Sequence, residues 1–216
     1  MHPYKQLRNM IKNIALILII FTNMHLAFSQ YTWTDGEVIL KGGEVLSGEI
    51  RIPLISKDLI SFNGKSKVRL KNKSNGKRTV FDENQVELIK FIYPDSKIAY
   101  YKYIPVSKNK KELFCIVTSG SATLYGRAVR MTSSSPGMMT FHNLNEFYIQ
   151  RLGEEIASPL KTARPSKSFR KRALEYFNDC PSIANKIKNR IKSIDEIIAV
   201  VNAYNQCVNN SLPNGR

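Results

Sequence analysis

The sequence predicts a mainly β protein, an antiparallel barrel, sandwich or strongly curved sheet, followed by a small C-terminal three-helix segment. Three observations carry this. Between residues 36 and 160, short β-prone runs are separated by Gly, Asn and Pro turn signals at about 8–12-residue spacing. No stretch between those runs has the apolar periodicity of a helix, which argues against a doubly wound α/β fold. From residue 167 the apolar spacing changes to that of a helix.

The first two strands, 37–41 and 44–52, flank Gly42-Gly43, a dipeptide that permits the positive φ of a tight hairpin. In the second of them Leu46, Gly48, Ile50 and Ile52 share a face. A run at 58–62 ends at Asn63-Gly64, and runs at 67–71 and 78–81 flank Ser74-Asn75-Gly76. Runs at 85–93 and 97–106 are split by Pro94-Asp95, and runs at 112–118 and 122–130 by Ser119-Gly120. Residues 138–141 and 146–151 close the series, with 133–137 expected as a loop and 158–166 as a Pro-containing basic linker. A first helix is expected over 167–177. Pro181 opens a second, since its missing N–H is unpaired at that position in any case. Ser193 and Glu196 form a capping box for a third, whose stripe is Ile194, Ile197, Ile198, Val201, Tyr204 and Val208.

Residues 1–29 have the organisation of a secretory signal peptide. Lys5, Arg8 and Lys12 form a basic start, residues 14–28 are mostly apolar, and Ala27 and Ser29 put small side chains at −3 and −1 before Gln30. The expected division is thus a signal peptide at 1–29, a β domain at 30–160, and a basic linker with helical segment at 161–216. The intact chain of 216 residues has 33 Lys and Arg against 17 Asp and Glu, a net charge of +16. Losing the three cations of the leader brings that to +13. His2 and His25 would leave too, so His142 would be the last histidine. The expected location is the periplasm, the outer-membrane periphery or the extracellular space. No apolar span follows the leader.

Export places the cysteines in an oxidising compartment. Cys180 opens the second helix and Cys207 lies near the end of the third, so antiparallel helices bring them together as a disulfide. Such a bridge stabilises by roughly 3–4 kcal/mol in the chain-entropy model. Cys115, in Leu-Phe-Cys-Ile-Val, is expected as a buried strand thiol. A Cys115–His142 nucleophilic pair is formally available. Glu83/Glu87 and Glu154/Glu155 are the carboxylate pairs a hydrolase of an envelope polymer would need. A phosphate-binding Gly-rich loop and a G-x-S-x-G elbow are both missing from the sequence, and one histidine with two bridged cysteines makes a poor zinc set. No cofactor is implied.

Two kinds of surface stand out. Tyr101 and Tyr103 share a strand face that could present aromatic rings to a ligand. Basic residues concentrate at Lys65, Lys67, Arg69, Lys71, Lys73, Lys77 and Arg78, and again in the helical segment at Arg170, Lys171 and Arg172. Such patches attract polyanions through counterion release. Outside the cytoplasm those are acidic polysaccharide or another envelope component, lipid headgroups or extracellular DNA; no dedicated nucleic-acid motif is present. Asn72-Lys73-Ser74 and Asn209-Asn210-Ser211 are glycosylation sequons in form.

Gly36-x6-Gly43-Glu-x-Leu-x-Gly-x-Ile50, the Gly120-to-Tyr125 hairpin, Tyr176-Phe-x-Asp-Cys-Pro181 and Tyr204-Asn-x-Cys207 resemble uncharacterised exported proteins of Bacteroidota type. The first hairpin departs from the usual pattern, carrying Gly-Gly-Glu where Asn-Gly-Asp is more frequent. The resemblance implies a β-rich exported protein and no assigned activity. The expected function is therefore a non-enzymatic envelope or extracellular binding or structural protein. A carboxylate-dependent hydrolase and a polyanion-binding protein are the alternatives.

Overall fold

The computed structural model describes residues 33–52, 55–56, 67–135, 138–162, 167–187 and 193–211. The leader, the expected strand at 58–62 and Lys65 lie outside these residues. From Thr34 onward the described residues form one compact unit. Its strands are β1 (Thr34–Leu40), β2 (Val45–Arg51), β3 (Ile55–Ser56), β4 (Val68–Lys71), β5 (Arg78–Phe81), β6 (Val86–Ile92), β7 (Ile98–Ser107), β8 (Lys110–Thr118), β9 (Ala122–Ser135), β10 (Met138–Arg151) and β11 (Ser158–Lys161). Three helices follow, α1 (Phe169–Tyr176), α2 (Pro181–Ile187) and α3 (Ile194–Ser211). The strands form an open sheet in the order β11-β10-β9-β8-β7-β6-β1-β2-β4-β5, antiparallel throughout, with β3 added in parallel beside β9. The fold class is thus the expected one.

Several strands differ from the sequence expectation, among them β3 at Ile55–Ser56, where none was expected. β9 and β10 are longer and continuous, paired from Met138 opposite Ser135 to Arg151 opposite Ala122. The serine run ending at Ser135 therefore belongs to a strand, because each residue's backbone has a partner across the hairpin. Ser158–Lys161 is also a strand and not the start of a linker. Pro159 is tolerated there because β11 is at the edge of the sheet order, where a missing N–H breaks no ladder bond.

The sheet is not flat. β5 and β6 stand four strand spacings apart in its order, about 19 Å in a flat sheet. Yet the short turn Asp82–Gln85 joins them, and the N–H groups of Gln85 and Val86 both donate to the Asp82 carbonyl at 3.2 Å. The stretch β6-β1-β2-β4-β5 must roll to allow this. Its interior holds Val38, Ile50, Val68, Leu70, Phe81, Val86 and Ile89. The opposite end rolls too. β7 and β11 are also four spacings apart, but the N–H of Ala157, just before β11, donates to the Pro105 carbonyl of β7 at 2.8 Å.

The two rolls use opposite faces. Val38, Ile89, Tyr101, Cys115, Gly126 and Phe147 are successive cross-strand partners and form one row on one face. The first roll closes around that face. The second closes around the alternate residues Ile104, Phe114 and Tyr125, with Tyr148 against them. At β9–β11 the first face is covered by the helices, where Leu124, Phe147, Ile149 and Leu160 share a core with Ala173, Phe177, Ile183, Ile187, Val201 and Tyr204. Within α3, Ile194 is exposed at the helix start and Val200 takes an inward place that the sequence stripe omitted.

Gly36 and Gly48 face each other across β1 and β2. A Cβ on Gly36 would lie 2.1 Å from the Lys90 carbonyl oxygen, and one on Gly48 2.5 Å from that of Lys71. The close backbone approach in the first roll depends on this pair. Gly36→Ala is expected to lower stability by about 2 kcal/mol or more, the cost of forcing a side chain into backbone. A denaturant midpoint equal to that of the parent chain would rule out the close approach.

Candidate functional site

Polar side chains converge at three places. The first is the junction of the helices with the sheet. Arg151 ends β10, and its Nε donates to the Tyr204 hydroxyl at 2.7 Å. Its Nη2 donates to Asp179 Oδ1 at 2.9 Å and to the Tyr176 carbonyl. The Tyr204 hydroxyl donates to Asp179 Oδ2 at 2.8 Å, and the Tyr176 hydroxyl to Glu154 Oε2 at 2.7 Å. The guanidinium also lies 4.4 Å from the centre of the Tyr176 ring. Burial, together with the carboxylate each one faces, pushes both phenols above their ordinary range, so both remain donors. Next to this cluster Cys180 and Cys207 are joined, with their sulfurs at disulfide distance. The bridge links α2 to α3 as the sequence suggested.

The second place is the contact of α3 with the β8–β9 turn. Asn202, Asn205 and Asn209 recur at three- and four-residue spacing and so share a helix face. Asn205 is buried and treats Ala122 as a strand would, accepting its N–H at 2.8 Å and donating to its carbonyl at 3.0 Å. Thr118 donates to Asn202 and Ser121 to Asn209, both at 2.8 Å. The sequence signal was present, an asparagine row beside an apolar stripe, but its target on the turn could not be read from spacing.

The third lies inside the second roll. Arg127 Nη2 stands 2.5 Å from Glu112 Oε2 and 2.8 Å from Glu146 Oε2, and its Nε donates to the same Glu146 oxygen at 3.0 Å. Lys110 pairs with the other Glu112 oxygen. The guanidinium lies over the Phe114 ring, 4.3 Å from its centre. Burial alone would raise the Glu112 carboxyl, but the charges of Arg127 and Lys110 outweigh it and hold it below its usual range. The sequence reading missed these carboxylates because they are far apart in the chain and meet only through the register of β8, β9 and β10.

The expected site residues are distributed as follows. Tyr103 is buried in the first roll and Tyr101 packs against the same core, edge-on to Phe91. Their shared face is therefore an interior, not a platform open to a ligand. Burial pushes the Cys115 thiol up, which keeps it protonated. The residue directly across two strands from Cys115 is Phe147, and the His142 backbone lies five residues further along β10, about 17 Å at the strand rise. Cys115 and His142 are thus not a pair. Glu87 accepts a bond from Lys102 at 2.7 Å, Glu154 is engaged by Tyr176 and by the Arg151 N–H, and Glu155 is exposed.

In the basic hairpin, Lys71 pairs with Glu49 at 2.6 Å and Lys73 with Asp35 at 2.7 Å; Lys67, Arg69, Lys73, Lys77 and Arg78 are all exposed. Arg170 and Lys171 are exposed on α1, and Arg172 donates to Thr162 at 3.3 Å. Arg170 and Lys171 border a shallow groove of about 460 Å³ with Leu174 and Glu175, and Tyr93, Pro94, Asp95 and Lys97 border another of about 520 Å³. No group of His, Cys, Asp and Glu among the described residues is arranged to hold a metal. Comparison with protein-family models, curated proteins and solved structures finds no match to this chain.

Two outcomes follow from the clusters. Replacing Cys180 and Cys207 together by Ser is expected to cost roughly 3–4 kcal/mol in a denaturant melt, and peptide mapping without reductant is expected to recover the linked pair. Because the folded Glu112 carboxyl titrates below its ordinary value, its contribution is complete above about pH 4.5 and declines as pH falls through the folded value. Glu112→Gln is therefore expected to flatten the loss of stability below that pH. An unchanged acid slope would show that the Arg127 pairing is not coupled to folding.

Proposed function

We propose that this is an exported, non-enzymatic protein of the envelope or extracellular space, with a binding or structural role. One observation carries the proposal. The side chains with the most chemistry to offer are engaged with one another: Arg127 with Glu112 and Glu146 in the interior, and Arg151 with Asp179, Glu154, Tyr176 and Tyr204 at the half-exposed junction of helices and sheet. Both clusters fasten elements of the fold together. The disulfide adds a fastening suited to an oxidising compartment. Polar groups engaged in holding the architecture leave the rest of the outer surface to carry recognition.

A second reading has its own support. Lys67, Arg69 and Lys77 are exposed around the β4–β5 hairpin. Arg170 and Lys171 are exposed at the opposite end of the sheet order. A polyanion would meet these as two separate patches.

Export is checked directly. Protein recovered from the envelope or medium of the host is expected to begin at Gln30, by N-terminal sequencing. Recovery of the intact chain in the cytoplasm would reject the proposal.

A further inference from the structure

The turn between β4 and β5, residues 72–77, is closed by its own hydrogen bonds. The Asn72 N–H donates to the Lys77 carbonyl and the Gly76 N–H to the Asn72 carbonyl, both at 2.9 Å. Two asparagine side chains bind backbone within it. Asn72 Oδ1 accepts from the N–H of Ser74 at 2.8 Å and of Asn75 at 3.3 Å, and Asn75 Oδ1 accepts from that of Lys77 at 2.9 Å. Every residue from Asn72 to Val80 is exposed. Gly76 has a φ of +68°, and a Cβ there would meet nothing within 4 Å.

Asn75 and Gly76 can react with each other. An asparagine side-chain carbonyl and the backbone nitrogen of the next residue can close into an imide ring. The next side chain ordinarily obstructs that approach. Glycine has none, and it permits the backbone conformations that bring the two atoms together. The Lys77 N–H donates to Asn75 Oδ1, so it polarises the carbonyl and stabilises the charge that develops on the oxygen as nitrogen adds. That bond spans Gly76, so it also folds the side chain back toward the peptide unit that attacks it. The bond from the Gly76 N–H to Asn72 must open first, and in an exposed turn its opening uncovers no core. Asn72 makes the same kind of side-chain bond but is followed by Lys73, whose side chain crowds the nitrogen.

We propose that Asn75 is a modification site, at which the chain converts its own side-chain amide to a carboxylate. The Gly76 backbone nitrogen loses its proton to base and bonds to Asn75 Cγ. The Cγ–Nδ2 bond breaks, and the amine takes up a proton and leaves as ammonia. Water then opens the imide at either carbonyl. One product is aspartate, and the other is isoaspartate, with the backbone routed through the former side chain. No electrons are transferred and no second protein takes part. Either product brings an acid into the hairpin that carries Lys67, Arg69 and Lys77, and takes the net charge of the whole chain from +16 to +15. Isoaspartate also lengthens the main chain between Asn72 and Lys77, which spoils the bonds that close the turn. The proposal rests neither on export nor on polyanion binding.

The test incubates the folded chain in mildly alkaline buffer and follows it by peptide mapping, with Asn75→Asp as the standard for the aspartate product. The expected result is a mass gain of about one dalton at Asn75, as a mixture of isoaspartate and aspartate, with Asn72 unchanged. The comparison of Asn72 with Asn75 lies within one molecule, so it needs no variant to fold. The rate is expected to rise about tenfold for each pH unit, since only the deprotonated nitrogen attacks. Gly76→Ala is expected to slow it by about tenfold or more, the order that a misplaced reacting group costs. Asn75 left intact in the folded chain, over a period in which the chain in denaturant converts it, overturns the proposal, because the turn then protects the amide. So does conversion of Asn72 and Asn75 at equal rates. Aspartate without isoaspartate overturns it too, since that marks direct hydrolysis with no part for Gly76.

Discussion

A ten-strand sheet has two faces, and a chain of this length must cover enough of both to fold. The solution here is a reversal of curvature. One end of the sheet rolls around one face and the other end around the opposite face, and the helices cover the first face where the roll no longer does. Everything else follows from that reversal. The Gly36–Gly48 pair lets β1 and β2 bend under neighbouring carbonyls. The Ala157–Pro105 bond joins the second roll edge to edge. Where neither a roll nor a helix covers the sheet, the outward face carries cross-strand ion pairs such as Lys71–Glu49 and Lys90–Glu37.

The polar anchors sit where apolar burial cannot specify geometry. Apolar contact between α3 and β9 would tolerate sliding of the helix along the strand. The Asn205–Ala122 pair does not, because both its bonds fail if the helix shifts by one residue. Arg151 does the same for the chain turn before α2, reaching three elements with one guanidinium. The Arg127 cluster is different in kind. Burying a cation with two carboxylates brings a desolvation cost close to its Coulomb gain, so its contribution to net stability is small compared with the cost of removing one member. Its effect is to fix the register of β8, β9 and β10, since the three residues come one from each strand.

Most of the strand order in sequence was legible because turns announce themselves through Gly, Asn and Pro and because alternation marks the inward face. The helix boundaries were legible for the same local reason: the Ser193–Glu196 capping box forms as its spacing predicts, with the Glu196 N–H donating to Ser193 Oγ at 3.1 Å. The disulfide was legible from helix length and an antiparallel assumption. The rolls were not. Curvature depends on which backbone approaches Gly36, and that is a property of strands far apart in the chain. Tyr101 and Tyr103 show the consequence. Alternation placed them correctly on one face, but nothing local says whether a face lies inside a roll or outside it. Glu112, Arg127 and Glu146 were illegible for the same reason.

Composition overstated the electrostatics in an instructive way. A net charge of +16 suggests a uniformly basic surface. The structure instead pairs many lysines with acids on adjacent strands, and other exposed cations stand in small groups, at the β4–β5 hairpin (Lys67, Arg69, Lys77), at the β7–β8 turn (Lys108, Lys111) and on α1 (Arg170, Lys171). Counterion release counts the charges that one partner contacts at once, with a slope of about 0.9 per neutralised phosphate for a duplex. A group of two or three cations therefore yields a shallow salt dependence and weak electrostatic affinity. Any surface that holds this protein firmly must add something to charge.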